Sequence, residues 1–195
     1  MTTKKMKRLP KSVTEVFNKS RSIQLDIGCG DNKQPGYIGM DYRATKNVDV
    51  QHSIEDLPLP FPNDYCRTIL MSHLVEHLKP WLIIDIFNEL WRISRVGGQL
   101  LIAMPYAGSF GFWQDPTHTK PWNEATPTYF DPSKFLYNIY KPKPWRIVRN
   151  AWYQTGNMEI IMEKLPLSHG IETPGGYDNI EPKPIEKKSK RKVKK

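Results

Sequence analysis

The chain has 195 residues and a mass of 22.7 kDa, enough for one domain of ordinary size with little left for a second core. With 38% hydrophobic and 25% charged residues it has the balance of a soluble globular protein, and no apolar run approaches the roughly 20 residues of a membrane span. Cys29 and Cys66, the two cysteines, exclude a disulfide scaffold and a four-cysteine zinc site. The basic N-terminus also lacks the apolar stretch of a secretory signal, so a reducing cytoplasm is the expected location.

The net charge of +9 is unevenly spread: residues 1–11 carry +5 and residues 182–195 carry +7, leaving −3 for everything between. Composition thus predicts a basic N-terminal segment (1–20), a globular domain (21–166) and a basic tail (167–195) too charged to bury itself. A disordered tail of this kind can hold nucleic acid or another polyanion by releasing counterions, or can simply keep the chain soluble.

A short helix is predicted over Ser12–Lys19, followed by an alternating strand, Ser22–Ile27, that stops at Gly28-Cys29-Gly30. Tyr37–Asp41 reads as a second strand ending in a carboxylate, Val48–His52 as a third and Thr68–Met71 as a fourth. Pro58, Pro60 and Pro62 exclude a regular helix between the last two. From Pro80 to Arg95 the residues Ile83, Ile86, Phe87, Leu90 and Trp91 recur at helical spacing, with Pro80 suited to the first turn and Gly97 to the stop. Gly98–Pro105 is a mostly apolar fifth strand, which completes a strand, helix, strand unit inside a parallel sheet. Tyr106–Lys143 is irregular, aromatic and proline-rich, a composition that argues for function rather than disorder. Trp145–Arg149 and Met158–Glu163 flank Thr155-Gly156-Asn157 and read as a closing antiparallel hairpin.

Glycines at the carboxyl end of one strand let backbone approach a ligand closely, and Asp41 at the end of the next can accept hydrogen bonds from a ribose diol. Together they describe a nucleoside site. The third glycine of a dinucleotide fingerprint is replaced by Lys33, so a phosphate cradle is poorly supported.

On these residues the chain resembles class I S-adenosylmethionine-dependent methyltransferases, especially compact bacterial and phage-type members. The resemblance rests on Leu-Asp-Ile-Gly-Cys-Gly at 25–30, Gly-Met-Asp at 39–41, Leu-Pro-Leu-Pro-Phe-Pro at 57–62, Met-Ser-His-Leu-Val-Glu-His-Leu at 71–78, and Arg95-Val96-Gly97-Gly98. It implies an α/β, Rossmann-like, mainly parallel sheet with an antiparallel C-terminal strand, and S-adenosylmethionine as methyl donor. By the same resemblance Asp26, Gly28, Cys29 and Gly30 would lie around the methionine moiety and Asp41 would bind the ribose. Ser53, Ile54 and Glu55 would flank the adenine, and Ser72 and His73 would line the floor under the sulfonium.

Three departures accompany the resemblance. The connections after Gly30 and after Asp41 are too short for full crossovers, so helices between the first strands should be stunted or missing. Ser53 stands where many relatives place an Asp, which leaves the adenine contact open, and Arg67 replaces an Asp that commonly opens the fourth strand.

His73-Leu74-Val75-Glu76-His77 also matches an inverted zinc-protease pattern. With His73 expected before the helix begins, and no third ligand on a following helix, the metal reading is set aside and Glu76 and His77 are taken as polar residues of a helix start. In Asp115-Pro116-Thr117-His118-Thr119, His118 is expected either to serve as base or acceptor ligand or to fasten its loop. Trp113 and Trp122 are candidates for stacking on an acceptor or for core packing. No cysteine is placed for cytosine C5 chemistry, and no Asn/Asp-Pro-Pro-Tyr motif follows the fourth strand. The acceptor is thus expected to be an oxygen or nitrogen on a small molecule, sugar or RNA. The alternative is a non-catalytic nucleotide-binding or scaffold protein of the same fold.

Overall fold

The computed structural model describes residues 9–170. Most of the two basic stretches, including the expected disorder and polyanion contact of the tail, lies outside the described residues.

Helix α1 (Lys11–Ser20) buries Val13, and its Phe17 stacks on Tyr65 with ring centroids 4.0 Å apart, so this part of the basic segment is tied to the domain. The strands are β1 (Ile23–Ile27), β2 (Ile38–Asp41), β3 (Val50–Gln51), β4 (Cys66–Ser72), β5 (Ser94–Pro105), β6 (Trp145–Trp152) and β7 (Asn157–Lys164). They form one sheet in the order β3-β2-β1-β4-β5-β7-β6. Neighbours from β3 through β5 pair parallel, and β7 runs antiparallel to both β5 and β6. The predicted α/β architecture is therefore present, down to its antiparallel strand.

Central strands bury one face fully and the other, with the half-buried Leu70, Leu101 and Ile161, only in part: Leu25 and Ile27 of β1, Ile69 and Met71 of β4, Leu100 and Ile102 of β5, and Ile160 and Met162 of β7 share one face and lie in one core. Helix α2 (Ile83–Ile93) buries Ile83, Ile86, Phe87, Leu90 and Ile93 against it. Phe87 then stacks on Phe130 and Trp122, with centroids 4.2 and 5.7 Å away, which fastens the aromatic stretch to α2. That stretch holds no strand, only short helices α3 (Phe110–Trp113) and α4 (Tyr137–Tyr140) and a 3-10 turn at Thr126–Phe130.

Three expectations are corrected. The helix predicted over Pro80–Arg95 is a 3-10 turn (Pro80–Leu82) continued by α2, and it ends at Ile93 rather than near Gly97. Ser94 already has extended backbone and pairs with Cys66, and Gly97 (φ 72°) lies in the bulge between that pair and Thr68↔Gln99. The residues Val75–His77, expected to start a helix, form a separate 3-10 turn, with His73 before it as expected. β3 has only two residues, whereas β6 runs to Trp152 before a turn at 153–156.

No helix covers the connections β1–β2 or β2–β3, as their lengths require. Polar ties replace it. Lys33 Nζ and the Gly39 N–H both reach Asp49 Oδ2, at 2.8 and 2.7 Å; Thr45 donates to the Gly30 carbonyl at 2.9 Å, and Asn47 to that of Asp31. The two loops press so closely on β2 that a Cβ on Gly39 would stand 2.7 Å from the Asn47 carbonyl oxygen. Among the described residues no helix is long and apolar enough to cross a membrane.

Candidate functional site

The carboxyl ends of β1, β2 and β4 lie side by side, and the turn after β1 is shaped by backbone contacts to β2. Gly28 (φ 75°) donates its N–H to Met40 at 2.8 Å, and a Cβ there would stand 2.9 Å from the Leu74 side chain, a conformation and a clearance that suit glycine. Asp41, buried at the end of β2, accepts from the Gly30 N–H through Oδ2 at 2.9 Å and from the Arg43 N–H through Oδ1 at 2.8 Å. Oδ1 also takes a longer contact from Arg43 Nε at 3.5 Å, whereas Oδ2 retains a second lone pair. Asp26, also buried, accepts from the Gln34 N–H at 2.8 Å and so closes the loop beyond the glycines. Burial pushes its carboxyl above the ordinary range, against the opposing pull of the Gln34 hydrogen bond and the Lys33 charge.

Two adjoining cavities open at these strand ends. One of about 620 Å³ is lined by Gly28, Asp41, Ser53, Ile54, Glu55 and His73 among others. The second, of about 540 Å³, is lined by Asp26, Gly28, Cys29, Gly30, Ser72 and His73. All ten residues singled out for the donor thus border one of the two, with Gly28 and His73 bordering both. Ser53 accepts from the Glu55 N–H at 3.2 Å, capping its own turn. Burial raises the Glu55 carboxyl, but Lys79 outweighs it, donating from Nζ at 2.6 Å and from its backbone N–H at 2.9 Å, and holds the group below its usual range.

A third cavity, of about 410 Å³, lies beyond His73 and is bordered by Glu76, His77, Asp115 and His118. His73 itself has φ 52° and anchors through its N–H to Ala103 of β5 at 2.8 Å. The Glu76 carboxylate holds the His73 imidazole above its ordinary range, although at 3.5 Å the pair is an ion-pair contact rather than an aligned hydrogen bond. His118, mostly buried, is fastened through Nδ1 to the Phe112 carbonyl at 2.7 Å, which leaves Nε2 at the cavity. Both expected uses of His118 are compatible with that geometry, one ring nitrogen for each.

The two tryptophans separate. Trp122 is core, while Trp113 is exposed, its indole N–H held by the Ala107 carbonyl at 3.0 Å and its ring edge-to-face with Phe112, centroids 5.1 Å apart. Cys29 and Cys66 are buried; burial, reinforced by the charges of Asp26 and Asp41, pushes the Cys29 thiol up to about 11, and burial pushes Cys66 up as well. Neither is a nucleophile at neutral pH. Arg67 is exposed at the opposite ends of the strands, where it donates to Gln24 of β1, so its substitution does not touch the site.

Arg43 escaped the sequence reading. It borders both of the larger cavities, half exposed, and its Nη2 rests against the turn, 2.6 Å from where a Cβ of Gly30 would stand. Only its position two residues beyond Asp41 hinted at this. Glu76, expected as a polar residue of a helix start bonded to backbone or loop, is fully buried in a 3-10 turn with no hydrogen bond to its carboxylate.

No family model matches the chain, and no curated protein is detectably similar to it in sequence. Solved structures are similar in fold. A SAM-dependent methyltransferase from Archaeoglobus fulgidus aligns over 79% of this chain and 94% of its own, with 18% identity and a TM-score of 0.54. A 16S rRNA (adenine(1408)-N(1))-methyltransferase from Catenulisporales acidiphilia, solved with cosubstrate SAM, aligns over 80% of this chain and 91% of its own, with 14% identity and a TM-score of 0.55. The YcgJ protein from Bacillus subtilis aligns over 80% and 98%, with 14% identity and a TM-score of 0.51. The fold is thus the class I Rossmann-like fold of many SAM-dependent methyltransferases, at low sequence identity.

Proposed function

We propose that the protein transfers a methyl group from S-adenosylmethionine to an oxygen or nitrogen acceptor on a small molecule, sugar or RNA. The observation that carries this reading is the convergence of ten residues from four separate segments on two adjoining cavities at the carboxyl ends of β1, β2 and β4. Ligands of open α/β sheets bind in such crevices.

The residues fit the donor chemically. Asp26, Asp41 and Glu55 place carboxylates around a space meant for a cation, and Gly28 leaves a cradle that a Cβ would fill. When bound, S-adenosylmethionine supplies a methyl group on a positively charged sulfur. Asp41 offers the spare lone pair of Oδ2 to a ribose hydroxyl, with its orientation fixed beforehand by the Gly30 and Arg43 N–H groups. Asp26, Cys29 and Gly30 border the methionine side, and Arg43 is the cation available there to a carboxylate. Ser53, Ile54 and Glu55 border the adenine side, where Ile54 supplies the apolar surface and the Glu55–Lys79 pair holds the loop in place. Ser72 and His73 form the floor between this space and the third cavity, which is the acceptor side. There His73 and His118 present imidazoles that can hold or receive the acceptor's proton. The rest of the rate comes from alignment and exclusion of water, with no covalent intermediate on the protein.

Calorimetric titration with S-adenosylhomocysteine, followed by a transfer assay with methyl-labelled donor against small-molecule, sugar and RNA fractions, tests the reading. Saturable binding and label in one fraction are expected. Absence of binding overturns it, and binding without transfer to any fraction favours a non-catalytic nucleoside-binding protein of this fold.

A further inference from the structure

The cavity beyond His73 gathers three side chains of metal-ligand type, of which only Glu76 touches a residue of the donor set, His73. Potential ligand atoms of Glu76, His77 and His118 all lie within 4.8 Å of one another. Glu76 is the informative member: its side chain is fully buried, and neither carboxylate oxygen has a hydrogen-bond partner. Among the described residues its one ion-pair neighbour is the exposed His73 imidazole, 3.5 Å from Oε1; a buried carboxylate with no aligned donor is costly, and native structures satisfy such a group with protein, water or an ion.

The surrounding hydrogen bonds prepare both histidines as ligands. His118 Nδ1 faces the Phe112 carbonyl at 2.7 Å and so carries its hydrogen there, which leaves a lone pair on Nε2. Thr117 donates its hydroxyl hydrogen to Asp115 Oδ1 at 2.7 Å, so its oxygen accepts from His77 Nδ1 at 3.1 Å and the His77 Nε2 lone pair is likewise free. Asp115 Oδ2 lies 3.7 Å from His118 Nε2, two acceptors turned toward each other, an arrangement a cation relieves. The loop is stitched to the 3-10 turn by N–H groups of Thr119 and Lys120 donating to the Glu76 carbonyl, at 2.8 and 3.2 Å, and by the Thr119 hydroxyl donating to Leu78 at 2.9 Å. That stitching brings His118 beside His77, with ring centroids 4.7 Å apart.

We infer that Glu76, His77 and His118 bind one first-row divalent cation of the Zn2+ or Mn2+ kind, with open positions facing the third cavity. Two imidazoles and one carboxylate suit such ions, at bond lengths of roughly 2.0–2.2 Å. The remaining closure comes from rotation of the exposed His77, while Glu76 and His118 are held by burial. Resting on the methyl-transfer reading, the cation's role is to hold an acceptor oxygen next to the donor cavities, with which the third cavity shares His73; His118 is then the ligand and His73 alone is left to receive the acceptor's proton.

The test uses Co2+ as a visible probe on the full chain, with Zn2+ as competitor. One equivalent of Co2+ per chain is expected, with a ligand-field absorption band that Zn2+ abolishes. His77→Ala, at an exposed position, and His118→Ala should each weaken Co2+ binding at least about tenfold. His52→Ala, outside the ligand group and with its ring held by the Asp56 carbonyl at 2.7 Å, should leave it unchanged. No band with the unmodified chain, or equal Co2+ affinity in the His77 and His118 variants, overturns the site. S-Adenosylhomocysteine binding is measured alongside: its absence with Co2+ bound sinks the donor reading and spares the metal site, and the reverse result does the opposite.

Discussion

Asp41 does two jobs with one carboxylate. It ties the glycine turn to β2 through the Gly30 and Arg43 N–H groups, and it borders the larger cavity. Asp41→Ala should weaken S-adenosylhomocysteine binding by roughly 1.5 to 3 kcal/mol, the range for charge-assisted hydrogen bonds. It should also lower the melting temperature, because the Gly30 N–H is left unpaired. Calorimetry giving unchanged affinity would remove Asp41 from the ribose contact. Cys29 yields a pH prediction of definite sign. Its thiol stands at about 11 in the folded chain against an ordinary 9.0, so the native state keeps a proton that the unfolded chain releases. This group leaves stability untouched below about pH 9 and lowers it between about 9 and 11. Native-state alkylation of Cys29 should therefore keep accelerating up to about pH 11, and a plateau near that of a free thiol would contradict the assignment.

At the scale of elements, the domain replaces two crossover helices with loops held by side-chain hydrogen bonds. Gly39 is the tightest point of that arrangement. Gly39→Ala would drive a methyl group against the Asn47 carbonyl, which cannot rotate away as a side chain can, so a loss of about 1–3 kcal/mol is expected in chemical denaturation. Stability equal to that of the unmodified chain would show that the 42–49 loop can shift freely. Helix α2 is anchored differently, by aromatic stacking. Phe87→Ala removes the ring that Trp122 and Phe130 stack on and should cost about 3–5 kcal/mol, with the aromatic stretch losing hydrogen-exchange protection first. Strand and helix identities were legible because β1, β4, β5 and α2 carry strong periodicity. Their ends were not: Ser94 leaves the helix for strand pairing with Cys66, a long-range choice invisible to local spacing.

Across the whole molecule, the far ends of the strands are closed by Lys164, the last residue of β7. Its ammonium is buried, donates to the Ser94 carbonyl at 2.6 Å and to Asp64 at 2.7 Å, and lies 3.9 Å over the Trp91 ring. The same indole donates its N–H to the Pro144 and Leu165 carbonyls at 3.1 and 3.0 Å. This knot joins α2, β5, β6 and β7 at the side of the sheet away from the cavities. Lys164→Met keeps the stem but leaves a buried carbonyl unpaired, so we expect a loss of about 1–3 kcal/mol with S-adenosylhomocysteine affinity unchanged. A matching loss of affinity would mean that the two ends of the sheet are coupled.

The amino-acid sequence by itself determined the α/β order and the missing helices, which are written in local periodicity and connection lengths, and it pointed to ten residues that border the two larger cavities, some through a glycine turn next to a strand-end carboxylate and the rest through a family resemblance. Tertiary structure alone decided what surrounds them. Arg43 comes to rest on the turn, and Glu76 turns inward from a 3-10 turn rather than outward from a helix. His118 reaches His77 through an aromatic stretch whose path is set by stacking on Phe87. Periodicity reports which face of an element is covered, whereas side chains meeting from distant segments depend on packing, for which no local pattern exists.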